Sequence, residues 1–119
     1  MSIPILNIQE PWASSILDGI KTIETRRYRL SEKKLRIPIY IAATGTGRPT
    51  LITGVVFFTE CRPYPTRRSF ERDFQGHWVA PHSQFYWKPP GKYGWVIGRA
   101  YRIEPFLAPK RGIVWGKTK

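Results

Sequence analysis

The chain is short of cysteine, of acid and of long apolar runs, and each shortage removes a class of protein. Cys61 is the only cysteine in 119 residues, so no intramolecular disulfide forms and neither a disulfide scaffold nor a cysteine-built zinc site is available. That suits a reducing compartment, and a cytoplasmic location is expected. No run approaches the roughly 18 apolar residues of a membrane-spanning helix, and the opening residues, with no basic start before a short apolar stretch, do not read as a secretory signal. A soluble chain with no membrane partner is expected. His77 and His82 are the only histidines. Spaced as they are, with no second close pair of ligands, they predict no metal site, and the sequence calls for no cofactor. Gly45-Thr46-Gly47-Arg48 lacks the lysine and hydroxyl of a phosphate-binding loop and reads as a turn.

What is present is basic and aromatic. There are 20 Lys plus Arg against 8 Asp plus Glu, a formal net charge of +12, so a polyanionic partner is the first expectation. The excess is uneven: residues 1–60 carry 8 basic and 5 acidic side chains, or +3, and residues 61–119 carry 12 and 3, or +9. Aromatic residues make up 14% of the chain and include 5 Trp. Together with arginine they supply stacking faces and phosphate partners. The length is that of one domain, 1–119, and 41% apolar residues suffice for one core.

Along the chain, residues 3–8 form a short apolar run with Pro4 near its start, which reads as a strand. Pro11 suits the first position of a helix, Trp12/Ile16 and Ala13/Leu17 are i,i+4 pairs, and Asp18-Gly19 supplies a stop. The spacing predicts one two-turn helix. Residues 21–26, Lys-Thr-Ile-Glu-Thr-Arg, favour an extended chain with Lys21, Ile23 and Thr25 on one side and Thr22, Glu24 and Arg26 on the other. Lys21 and Glu24 share a side only if a bend or bulge intervenes. Further strands are expected at 37–43, at 51–59 with a bulge or tight bend at Gly54, and at 93–104. Residues 62–92 read as a long excursion with a short helical segment near 69–74.

Pro11-Trp12-Ala13, the run from Asp18 through Gly19-Ile20-Lys21-Thr22-Ile23-Glu24-Thr25-Arg26, Tyr93-Gly94-Trp95-Val96-Ile97, and Pro109-Lys110-Arg111-Gly112 with Trp115 resemble the ASCH domain family of the PUA-like superfamily. The likeness spans nearly the whole chain. It implies an α+β fold: a small PUA-like β-barrel of five to six mostly antiparallel strands, one short N-terminal helix and one or two further helical segments. It also implies binding of RNA or other nucleic acid, with a few enzymes among the members.

The candidate ligand site is Trp12, Lys21, Thr22, Glu24 and Arg26. Arg26 offers a planar fork to a phosphate or base edge, Lys21 a compact charge, and Glu24 an acceptor for an exocyclic amine or a counter-charge for both cations. Trp12 supplies a wall. Arg62, Arg67, Arg68 and Arg72, interleaved with Tyr64, Phe70 and Phe74, form a candidate phosphate-tracking patch for RNA or single-stranded DNA. Trp78, Tyr86 and Trp87 either cage a base or cover one end of the barrel. An alternative is hydrolysis of RNA or of a modified nucleoside. Amidohydrolases of acylated cytidines that resemble this family use a lysine, a threonine and a glutamate, and Lys21 falls on that lysine. On this reading Lys21 and Glu24 are the catalytic candidates. The threonine, however, would stand where this chain has Glu24, and a later glutamate is sought at Glu71, beside Asp73, in the divergent excursion. Losing the hydroxyl weakens acyl transfer more than binding. An adaptor that sets its basic face against an acidic protein is the third possibility.

Overall fold

The computed structural model describes residues 3–109 and the short strand Val114–Trp115. The elements run β1 (Ile5–Gln9), α1 (Trp12–Leu17), β2 (Ile23–Arg26), a 3-10 turn (Glu32–Lys34), β3 (Ile39–Thr44), β4 (Leu51–Tyr64), α2 (Arg67–Arg72), α3 (Phe74–His77), β5 (Lys92–Leu107) and β6 (Val114–Trp115). The strands form one mixed sheet in the order β2-β5-β4-β3-β1-β6, with β1 parallel to β3 and to β6 and the other pairs antiparallel. The α+β architecture matches expectation. The closed barrel does not appear: β2 and β6 are the two edges, and no ladder joins them among the described residues.

Strand periodicity builds the core. Leu6 and Ile8 of β1 and Ile39, Ile41 and Ala43 of β3 share one face, where Ala13, Ile16 and Leu17 of α1, Phe58 and Trp95 complete the main cluster. Ile5, Ala42 and Ile52 point the other way into a smaller one. Gly54 lies at a register shift of β4. A Cβ there would stand 2.4 Å from the Leu17 side chain and 2.6 Å from the Tyr101 carbonyl oxygen, so only glycine lets α1 close onto the sheet.

Three boundaries differ from the sequence reading. β2 begins at Ile23, because the Ile20 and Lys21 N–H groups both donate to the Ser15 carbonyl and extend the end of α1. β4 continues to Tyr64 against Lys92 of β5, so Arg62 to Tyr64 belong to the sheet. Pro63 is tolerated there because β3 pairs with β4 only as far as Val56. The helical segment starts earlier and divides in two. Thr66 and Ser69 form a reciprocal capping box that starts α2, and Asp73 separates it from α3. Beneath these helices Tyr64, Phe70 and Val79 make a third cluster. Of the C-terminal motif, Lys110, Arg111 and Gly112 lie outside the described residues. Among the described residues no helix is long and apolar enough to cross a membrane.

Candidate functional site

β1 and β2 stand four places apart in the sheet order, yet the sheet curls until side chains bridge them. The Arg26 guanidinium on β2 donates through Nη2 to the Asn7 carbonyl oxygen on β1 at 2.8 Å. Between these strands and the returning excursion lies a cleft of about 850 Å³, within the size range of small-ligand sites. Asn7 and Gln9 line one side, Glu24 and Arg26 another, and Phe85, Tyr86 and Lys92 come from the excursion and the start of β5.

Four charged groups define its floor. Glu24 pairs with Trp95 in the β2–β5 register, and its Oε2 accepts from Arg26 Nε at 2.8 Å. Positions 24 and 26 share a face by strand alternation. Lys21 joins them because it precedes the strand, where the backbone follows α1 and α3 instead of the pleat: Ser15 accepts from its N–H, and the Gly76 carbonyl accepts from Thr22. The bend required of the sequence is therefore present. Lys21 is 3% exposed and Glu24 8%. The Lys21 ammonium donates to the His77 carbonyl at 2.6 Å and lies 4.9 Å over the Trp12 ring. Lys92, also buried, donates to the Phe85 carbonyl.

Burial sets the electrostatics. It holds the Lys21 amine below its usual range although the Glu24 charge opposes this, and Arg26 adds to the lowering. Burial likewise brings Lys92 down to about 8, with Glu24 again opposing and Lys21, Arg27 and Arg26 assisting. With Arg27 and Lys88 at its wall, the cleft gathers five basic side chains, and Glu24 is the only carboxylate lining it among the described residues. Such a wall favours an anion, while Glu24 adds a single acceptor and the Trp12, Tyr28, Phe85 and Tyr86 rings supply apolar surface.

Of the expected ligand residues, Trp12, Lys21, Glu24 and Arg26 come together in the cleft, and Thr22 does not line it; Thr25 does. The arginine patch is separate. Arg62 is held between Glu60 at 3.2 Å and Asp73 at 2.7 Å, whereas Arg67, Arg68 and Arg72 are exposed on α2. Tyr64 and Phe70 are core residues. Glu71 accepts from the Tyr86 hydroxyl on the exposed helix, outside the cleft wall. Trp87 donates to the Tyr64 carbonyl at 2.8 Å, with Arg67 over its ring. His77 is buried: Nδ1 accepts from the Val79 N–H at 2.9 Å, so Nε2 carries the proton that it donates to Phe70 at 2.7 Å. Burial holds it below its usual pKa. No three metal-ligating side chains converge among the described residues. Sequence reasoning missed Lys92, whose single signal is a lysine opening a strand directly after Pro89-Pro90-Gly91.

These features define a small α+β domain whose curled sheet holds a basic cleft beside its edge strand. A family model described as the ASCH domain matches residues 6–104. The chain belongs to the ASCH domain family, which is associated with RNA binding. Among solved structures it is similar to an ASCH protein from Zymomonas mobilis, at 18% identity and a TM-score of 0.72 over 87% of this chain and 71% of that one. A tyrosine-to-phenylalanine mutant of the Zymomonas mobilis protein aligns at 16% identity and a TM-score of 0.73, covering 89% of this chain and 76% of that one. A serine-to-alanine mutant gives 20% identity and 0.71, over 87% and 72%. At these identities the likeness establishes the fold. No curated protein matches the chain.

Proposed function

We propose that the chain is a single-domain binder of RNA or single-stranded DNA that draws one base or nucleotide into the cleft, on a sheet curled toward the PUA-like barrel form. The supporting observation is the floor itself: Lys21, Arg26 and Lys92 converge around one buried carboxylate, beside aromatic walls. The cations meet the phosphate, and Glu24, an acceptor with no proton to donate, selects a base edge that carries an amine. Fluorescence anisotropy with labelled single-stranded RNA and DNA, run across a salt series, tests this. Log affinity should fall linearly with log salt. Affinity that is flat with salt, or absent, overturns the reading.

One observation favours a second reading, hydrolysis of an acylated cytidine. The Lys21 amine is buried and held below its usual pKa beside Glu24, a setting that suits proton transfer. Position 24 carries no hydroxyl, so any hydroxyl would come from Thr25 or Thr44 on the cleft wall. Turnover of N4-acetylcytidine by the purified protein, lost in Lys21→Met, would support it. Absence of turnover leaves the chain a binder.

A further inference from the structure

The excursion presents two aromatic rings to solvent on the outside of the segment whose inside lines the cleft. Phe74 is 37% exposed and Trp78 38%, with centroids 5.2 Å apart and planes at 68°. The Trp78 ring is held in place. The Trp78 indole N–H donates to the Ile20 carbonyl at 2.9 Å, and its backbone N–H donates to the Phe74 carbonyl at 2.7 Å. Trp78 ends α3 at φ 58, a left-handed position that glycine or asparagine normally fills. α3 is itself fixed to β2: the Gly76 carbonyl accepts from Thr22 at 2.9 Å, and a Cβ at position 76 would stand 2.6 Å from the Ile23 side chain. A large, partly exposed ring is thus fixed at a backbone position that favours glycine or asparagine.

Two further observations indicate what the rings meet. α2, which packs on α3, carries Arg67, Arg68 and Arg72, all exposed. Among the described residues no carboxylate pairs with any of the three. Val79, directly after Trp78, is buried and lines the cleft, so the cleft wall and the Trp78 ring are adjacent in the chain. Cations beside flat apolar faces suit a strand with a charged backbone and bare bases.

We infer that Phe74 and Trp78 form a stacking platform for unpaired bases of single-stranded nucleic acid leaving the cleft, with the α2 arginines meeting its phosphates. The inference rests on the nucleic-acid reading above, and it locates contacts beyond a single nucleotide. Because every base has a stacking face, the platform adds affinity without sequence preference.

The test compares a fluorescein-labelled adenosine decamer with free AMP on the full chain. Phe74→Leu and Trp78→Leu keep apolar bulk and remove the ring. Each should weaken decamer binding by roughly tenfold, leave AMP binding unchanged, and in the Trp78 variant reduce quenching of indole fluorescence by the saturating decamer to the level that AMP produces through Trp12 in the cleft. Trp78→Phe, which keeps a ring, should retain most of the decamer affinity; with Phe74→Leu it keeps the test open should Trp78→Leu fold poorly. If the wild type binds the decamer and both leucine variants bind it equally well, the platform falls while the cleft reading stands. If the wild type binds neither probe, both fall. Decamer binding unchanged alongside loss of binding to a polyglutamate peptide would assign the rings to an acidic protein partner and overturn the inference.

Discussion

Lys92→Met replaces the buried ammonium at the cleft with an apolar side chain of similar length, and its effect follows from two opposing quantities. Lowering this amine from 10.5 to about 8 corresponds to ~3 kcal/mol of disfavoured charge, and water at the cleft mouth reduces that to ~2 kcal/mol. Against it stands the donation to the Phe85 carbonyl, whose loss costs about 1 kcal/mol. At pH 7 the variant should therefore be more stable than the wild type by about 1 kcal/mol. The sign reverses with pH. Because the folded-state value lies below the unfolded one, the folded protein holds fewer protons between about 8 and 10.5, so wild-type stability rises across that window. Above it the burial penalty is gone and the lost hydrogen bond leaves the variant weaker. Urea denaturation midpoints for both proteins at intervals from pH 7 to 10.5 measure the difference, and Lys21, present in both, largely cancels. A difference that stays constant across this range would refute the assignment of a desolvated ammonium to Lys92.

Three other outcomes are open to measurement. Glu24→Gln removes the charge that supports both cleft lysines, so the folded-state ionisation of Lys92 should fall below about 8, read by NMR titration of its Nζ or Cε, with discrimination among bases reduced in parallel. Gly54→Ala drives a methyl into Leu17 and the Tyr101 carbonyl and should destabilise the fold by about 1–3 kcal/mol in chemical denaturation. Asp73 is held below its ordinary 3.8: burial alone would raise it, but donation from Tyr64 at 2.6 Å and from Arg62 outweighs burial. Its contribution is present above pH 3.8 and lost as pH falls through the folded value, so Asp73→Asn should flatten the acid limb of the stability curve and cost about 1–3 kcal/mol near neutrality.

Local chemistry made much of this molecule legible in advance. Pro11, the i,i+4 apolar pairs and Asp18-Gly19 announce α1, because helix starts, faces and stops are written within a few residues. Gly54 announces its bulge, the residue run around Lys21 to Arg26 announces the family, and the charge count announces a polyanion, since net charge is additive and needs no geometry. Other features were invisible because they join distant residues. Lys92 enters the cleft only when β5 pairs with β2, and Arg26 reaches Asn7 only when the sheet curls. Lys21 shares a face with Glu24 because Ser15 and Gly76 capture the backbone at 20–22 and hold it off the strand pleat. Periodicity describes a strand as though it were isolated, so it placed those two side chains apart. The sequence alone therefore determined most of the elements to within a few residues, the family and the sign of the charge. Tertiary structure decided which charges share low-dielectric space and which aromatic rings remain in solvent, since desolvation and exposure are properties of what the rest of the chain packs against each group.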